Sequence, residues 1–268
     1  MNRRDFLTSS VVAAASVETL LTAPRSEAQE PAVSPREFYE LRFYHLRRGP
    51  KTDLFDRFYR QAAIPALNRA GIDRVGVFNV AVGSDSPGLY VLLAHKSIES
   101  VATTPDRLLA DPDYQQAGAE FLNATAGDPA YVRMESSLMA AFPAMPKLET
   151  PSFASGGKSR LFELRTYESH SKKANKKKIE MFGQGEIAIF RRCGLRPVFF
   201  GETLIGPRLP CLTYMLAFEN QAAHDQGWGN FSADPEWKKL RAMPGYTDPE
   251  IVSNISNAFL RPAAYSQI

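Results

Sequence analysis

The chain repeats itself. Phe38-Tyr39-Glu40-Leu41-Arg42-Phe43-Tyr44 reads again as Leu161-Phe162-Glu163-Leu164-Arg165-Thr166-Tyr167, 123 residues later. The same offset holds without a gap through the rest of the copy. Ile64, Gly71 and Gly83 match Ile187, Gly194 and Gly206, and Pro87 and Leu89 match Pro210 and Leu212. Leu93-Ala94 matches Leu216-Ala217, and Asp111-Pro112-Asp113-Tyr114 matches Asp234-Pro235-Glu236-Trp237. A constant offset across separated segments means duplication of one structural unit. Whatever this chain folds into must therefore be built from two similar pieces.

Each copy can be read once and checked against the other. Glu37 to Leu46 alternates and is rich in aromatic residues, which predicts a strand. Thr52 is read as the N-cap of a helix running to about Ala70, with Leu54, Phe55, Phe58, Tyr59 and Ala62 as its apolar stripe. Pro65 should kink that helix late, although the second copy has Ala188 there. Gly71 and Gly194 stand where a left-handed residue ends a helix. Ile72 to Val82 and Gly88 to His95 are predicted strands around a Gly-Ser-Asp-Ser-Pro turn. A helical stretch from Ile98 to Phe121 breaks near Asp111-Pro112, and Tyr131 to Ala141 closes the unit as a strand. The order β-α-β-β-α-β is the ferredoxin-like pattern, an α+β unit with helices on one sheet face only. The bare face needs a cover. The expectation is that the two sheets pack face to face as an intrachain α/β barrel, with pairing to a second chain as the alternative. Module 1 is placed at residues 36–142 and module 2 at 160–265, with 143–159 between them as a Pro-, Gly- and Ser-containing linker.

The first residues read as an address rather than as fold. Asn2-Arg3-Arg4-Asp5-Phe6-Leu7 resembles a twin-arginine export signal, a mildly apolar stretch follows to Ala23, and Ser26-Glu27-Ala28 has a small-x-small ending. Residues 1–28 are accordingly assigned to a signal, and the mature protein to the periplasm or the medium. The apolar stretch is too weak for a transmembrane helix. A net charge of +3, much of it in one lysine cluster and the signal, does not describe a nucleic-acid binder. Cys193 and Cys211 could form one disulfide or remain two buried thiols, and no spacing suggests a metal site.

The two Glu-Leu-Arg-x-Tyr strands, their spacing and the Asp-Pro-x-aromatic motif resemble the NIPSNAP family, over nearly the whole chain after the signal. That resemblance implies the dimeric α/β-barrel fold. The family has no agreed reaction. The wider superfamily includes cofactor-free monooxygenases, haem-degrading enzymes and chlorite dismutases, so haem is the one cofactor the resemblance brings into view. Fold resemblance alone does not assign a reaction.

Candidate site residues come from the strands and from the places where the copies differ. Glu40, Arg42 and Tyr44 alternate onto one face, and Glu163, Arg165 and Tyr167 repeat them. Leu41 and Phe43 take the other face. The apolar set is expected under the helices, and the polar set in the space between the sheets. There the polar set would either contact a ligand or tie the modules together as ion pairs. His45, His95, His170 and His224 have no histidine at the equivalent position. His45 and His95 at strand ends are read as surface or capping residues. His224 and Trp228, in Ala222-Ala223-His224-Asp225-Gln226-Gly227-Trp228-Gly229, have no counterpart in the first copy and are taken as a second-half ligand pocket. Trp237 joins them as a candidate, with packing of a helix against the sheet, as for Tyr114 at the same place, as the competing reading. Lys172-Lys173-Ala174-Asn175-Lys176-Lys177-Lys178 is either a solvated helix face or an attractor of an acidic partner or a membrane surface.

No phosphate-cradling loop, nucleophile elbow or metal-binding spacing is present in the sequence. The reading is a protein that binds a small molecule or a protein partner through the barrel or its surface, as a monomer or a homo-oligomer. A cofactor-free monooxygenase or isomerase, and a haem protein, are the alternatives.

Overall fold

A computed structural model describes residues 35–46, 49–83, 87–152 and 160–268. The signal assignment, the middle of the 83–87 turn and the end of the 143–159 segment lie outside the described residues. The elements are β1 (Phe38–His45), α1 (Pro50–Phe58), a π-helical turn (Tyr59–Ala63), α2 (Ile64–Arg69), β2 (Val75–Val82), β3 (Gly88–His95), α3 (Ile98–Leu109), α4 (Pro112–Ala117), α5 (Ala119–Leu122) and β4 (Arg133–Ala141). The second set is β5 (Leu161–Glu168), α6 (Lys172–Met181), a π-helical turn (Phe182–Glu186), α7 (Ile187–Arg192), β6 (Arg196–Ile205), β7 (Cys211–Phe218), α8 (Gln221–Ala233), α9 (Pro235–Arg241), α10 (Asp248–Ile251) and β8 (Asn254–Pro262).

The eight strands close into one antiparallel barrel in the order β1-β3-β2-β8-β5-β7-β6-β4. This sharpens the face-to-face expectation. The two four-stranded sheets also bond edge to edge, along β2–β8 and along β4–β6. Each seam joins the second strand of one half to the last strand of the other, as a pseudo-twofold axis requires. Closure leaves no strand edge in this barrel without a partner.

The repeat extends to details. Both π-turns lie at the same offset, so Pro65 is not their cause, because the second copy forms the same turn with Ala188. Gly71 and Gly194 both end their helices at φ near +90°. Asp111 and Asp234 explain the Asp-Pro-x-aromatic motif. Each caps a helix by accepting two backbone N–H groups, each precedes an N1 proline, and each is gripped by the equivalent arginine, Arg69 or Arg192. The first helix differs from expectation, since it starts at Pro50 after Gly49 and Thr52 lies inside it.

Three apolar cores result. One sits under the helices of each half, around Phe55, Tyr59 and Tyr114 and around Phe182, Phe190 and Trp237. The third fills the barrel interior with Tyr39, Phe78, Phe162, Phe199 and Met215 from both halves. Leu148 and Ile268 join it, so residues 143–149 are packed against the barrel rather than slack. Cys193 and Cys211 are separate buried thiols. Among the described residues no helix is long and apolar enough to cross a membrane.

The β4–β6 seam is tight at Gly201, where an added Cβ would stand 2.8 Å from Met139 Cβ. Neither atom can swing away, so Gly201→Ala should cost about 1–3 kcal/mol. A lowered urea midpoint at unchanged slope would show it, and an unchanged midpoint would mean the seam has slack.

Candidate functional site

Strand alternation puts Glu40, Arg42 and Tyr44 on one face of β1, but that face is the helix side. Tyr44 belongs to the core under α1 and α2, whereas Leu41 belongs to the barrel interior and Phe43 lines its open end. The same holds for Glu163, Arg165 and Tyr167 against Leu164. The expectation that the polar sets point between the sheets is therefore inverted. It assumed that the apolar face must meet the helices. In fact both faces are buried, and the helix side carries the charged pairs together with large aromatics.

In the second half the predicted residues come together. Glu163, 1% exposed, accepts from Arg165 Nη1 (2.7 Å) and Asn257 Nδ2 (3.0 Å) at one oxygen. Its other oxygen accepts from Trp228 Nε1 (2.8 Å) and faces His224 Nε2 at 3.3 Å. The Arg165 guanidinium lies 4.8 Å from the Trp228 ring and donates to the Tyr167 hydroxyl, which accepts from Tyr214. Desolvation pushes the Glu163 carboxyl up, but Arg165, Asn257 and Trp228 outweigh it and hold it below the usual range.

The first half builds the same network from different positions. Arg42 donates twice to Glu40 (2.7 and 2.8 Å), Ser136 adds a third bond, and His95 Nε2 stands 3.7 Å away. Tyr44 accepts from Tyr59. Histidine and second tyrosine come from β3 and the π-turn here, but from α8 and β7 in the second half. His95 is fully buried, so its reading as a surface residue is corrected. The reason is that the strand end is covered by α3, whose Ser100 bonds the other ring nitrogen. Burial again pushes the Glu40 carboxyl up, but His95, Arg42 and Ser136 bring it down to about 2.

One pair has no counterpart. Lys178 donates to Glu186 at 2.8 Å with both side chains almost fully buried, and the equivalent residues are Phe55 and Ala63. Burial pushes the Glu186 carboxyl up despite Lys178. The rest of the lysine cluster is largely committed within the fold, with Lys172 and Lys176 on Glu202 and Lys177 on Glu180. Sequence reading missed Lys178 because it counted the run as one charged face. A lysine at the position of Phe55 in the apolar stripe was the available signal.

Open space lies elsewhere, at the barrel end bearing the 206–210 hairpin. A cavity of about 110 Å³ is lined by Leu41, Phe43, Thr166, Thr203 and Thr213 among others. A neighbouring one of about 100 Å³ adds Val80, Ser256 and Ala258. They share Phe43, Tyr90, Leu164, Thr166 and Arg208, so both halves of the chain contribute. Arg208 holds a left-handed φ of 64° and donates to Ser256 Oγ at 2.9 Å. At the rim Glu135 is held by His45 (2.8 Å) and Arg133 (3.0 Å). Among the described residues no group of three His, Cys, Asp or Glu side chains is placed to hold a metal ion.

Two stability experiments follow from the networks. Replacing Glu186 alone by alanine should cost about 3–5 kcal/mol by stranding Lys178, whereas the double change Lys178→Phe and Glu186→Ala, copying the first half, should be neutral or stabilising. Equal losses in both variants by denaturant unfolding would contradict this. The depressed Glu40 carboxyl contributes stability that is full above its ordinary value of 4.5 and is lost as pH falls toward about 2. Glu186, raised, works in the opposite sense. The gap in unfolding midpoint between wild type and Glu40→Gln should therefore close between pH 5 and about 2, and a constant gap would show that Glu40 is not held ionised.

The NIPSNAP family model matches residues 39–146 and 162–267. A solved NIPSNAP-like domain protein from Burkholderia xenovorans is 21% identical, covering 40% of this chain and 88% of its own, with a TM-score of 0.36. A proposed monooxygenase from Lactobacillus acidophilus has a TM-score of 0.53 at 9% identity, covering 87% of this chain and 98% of its own. One from Fusobacterium nucleatum has the same score at 8% identity, covering 85% and 93%. Among curated proteins none matches the sequence. The last two likenesses speak to fold alone.

Proposed function

The chain belongs to the NIPSNAP family, and from that premise we propose that it binds a small molecule in the open end of its barrel. Each half is read as a ferredoxin-like module, 36–142 and 160–265, fused so that one chain makes the whole barrel. The observation that carries the reading is the pair of adjoining cavities shared by both halves. Concave space at a barrel mouth is where small ligands commonly bind. Here it combines an apolar floor, Leu41, Phe43 and Leu164, with the hydroxyls of Thr166, Thr203 and Thr213. That mixture is the usual make-up of a ligand pocket. A cavity of about 150 Å³ admits benzene, so the occupant is small.

The Glu-Arg-Tyr networks are assigned to architecture in this reading. Their carboxylate oxygens are already satisfied, they occur in both halves, and none of the Glu, Arg or Tyr side chains lines the open cavities, which the second network reaches only at Asn257. Trp228 donates to Glu163 and the His224 ring faces the same oxygen at 3.3 Å, so both are assigned to architecture as well. Haem has no place in the reading. His45, His95 and His224 each turn a ring nitrogen to a carboxylate within 3.7 Å, and His170 lies on the surface.

Thr166 borders both cavities, so Thr166→Phe should fill the shared space. A thermal-shift screen of small organic molecules should give stabilising hits with wild type, and a ligand at a hundred times its Kd adds about 2.7 kcal/mol. The variant should stay folded and lose those hits. Equal shifts in both proteins would place the ligand elsewhere.

A further inference from the structure

We infer that the ligand of this pocket is a small organic anion, a carboxylate on an apolar body, with Arg208 as the residue that reads its charge. This rests on the pocket reading above and deepens it.

Among the described residues Arg208 is the only cationic one lining either cavity, and it lines both. It reaches from the hairpin between β6 and β7 across to Ser256 on β8, so its side chain lies along the division between the two spaces. Its backbone sits at φ 64°, a conformation that a side-chain-bearing residue adopts at a cost of order 1–2 kcal/mol. An arginine kept there at the mouth of a cavity points to use of its guanidinium.

The partners available to that guanidinium narrow the ligand. Among the described residues no carboxylate lies within ion-pair distance of Arg208, and its hydrogen-bond acceptor is the neutral Ser256 hydroxyl. Arg42, Arg69, Arg165 and Arg192 all have carboxylate partners. The planar fork of an arginine is built for two parallel bonds to a carboxylate.

Position follows from the remaining charges. Glu135 lines the larger cavity, and its carboxyl is held below its ordinary range by the hydrogen bond with His45. The smaller cavity has Arg208, Ser256 and Asn257 in its lining and, among the described residues, no acidic one. An anion is therefore favoured on the Ser256 side, away from Glu135. Its apolar body would lie on Phe43 and Leu164, which both spaces share. The first half cannot supply a second such residue, since the position equivalent to Arg208 is Asp85, outside the described residues.

Matched probes test this. Benzoate, benzyl alcohol and benzylamine share a body and differ in charge, and hexanoate with hexanol repeats the comparison without a ring. Titration calorimetry at pH 7 should show each acid binding wild type at least about tenfold tighter than its alcohol, with the amine weakest. Arg208→Gln should remove roughly tenfold to a hundredfold of acid affinity and leave the alcohols unchanged. Arg208→Lys should recover part of it, and raised salt should weaken only the acids. Wild type binding alcohol or amine as tightly as acid would overturn the charge inference while leaving the pocket intact, as would an unchanged acid preference in Arg208→Gln. Absence of binding by every probe, in wild type and Thr166→Phe alike, would overturn the pocket reading and this inference with it.

Discussion

The structure depends on the two seams where strands from different halves share backbone hydrogen bonds. A four-stranded sheet with helices on one face leaves two problems, a bare apolar face and two unpaired edges. Stacking a second sheet over the first would solve only the face. Pairing β2 with β8 and β4 with β6 solves both, because closure turns the two inner faces into one core. Tyr39 and Phe199, 5.1 Å apart, and Phe78 and Phe162, 4.9 Å apart, then pack across the halves in space that neither half encloses alone.

Closure also sorts the chemistry by face. Away from the solvent-exposed strand ends, a strand residue points either into the barrel or under a helix. On β1 and β5 this separates charged ladders from cavity floor by one residue. Glu163 and Arg165 are sealed beneath α8, while Leu164 between them borders the open space. Burial makes the ladders costly to break. The cavity wall is cheaper to vary, since its hydroxyls and side chains face unfilled space.

Much of this was legible in the sequence. The offset located the strands, the helix-ending glycines and the Asp-Pro caps, because backbone requirements repeat with the backbone. It also picked out Glu163, Arg165, Tyr167, His224 and Trp228, which do meet. What it could not give was the direction of the faces. Alternation shows which residues share a side, and only the closed barrel shows which side is which. His95 was misjudged for a related reason, since its burial comes from α3 folding over the strand end. Arg208 carried no signal at all, because a hairpin arginine looks like any surface charge until the cavity beneath it is known.

The two halves keep the same ladder while changing where its parts come from. Each glutamate has an arginine two residues on and a histidine nearby, and each tyrosine has a second tyrosine. Yet the histidine moves from β3 to α8, and the tyrosine from the π-turn to β7. A network that survives replacement of its donors is retained for its bonds rather than for any one side chain, which is what a structural role demands. Lys178 with Glu186, and Arg208, behave in the opposite way, because each stands in one half with no substitute in the other. The fold does not require them, since the half with Phe55 and Ala63 forms the same π-turn. Their presence in one half alone therefore calls for a reason beyond folding, and of the three only Arg208 lines the cavities at the barrel end in which that reason can act.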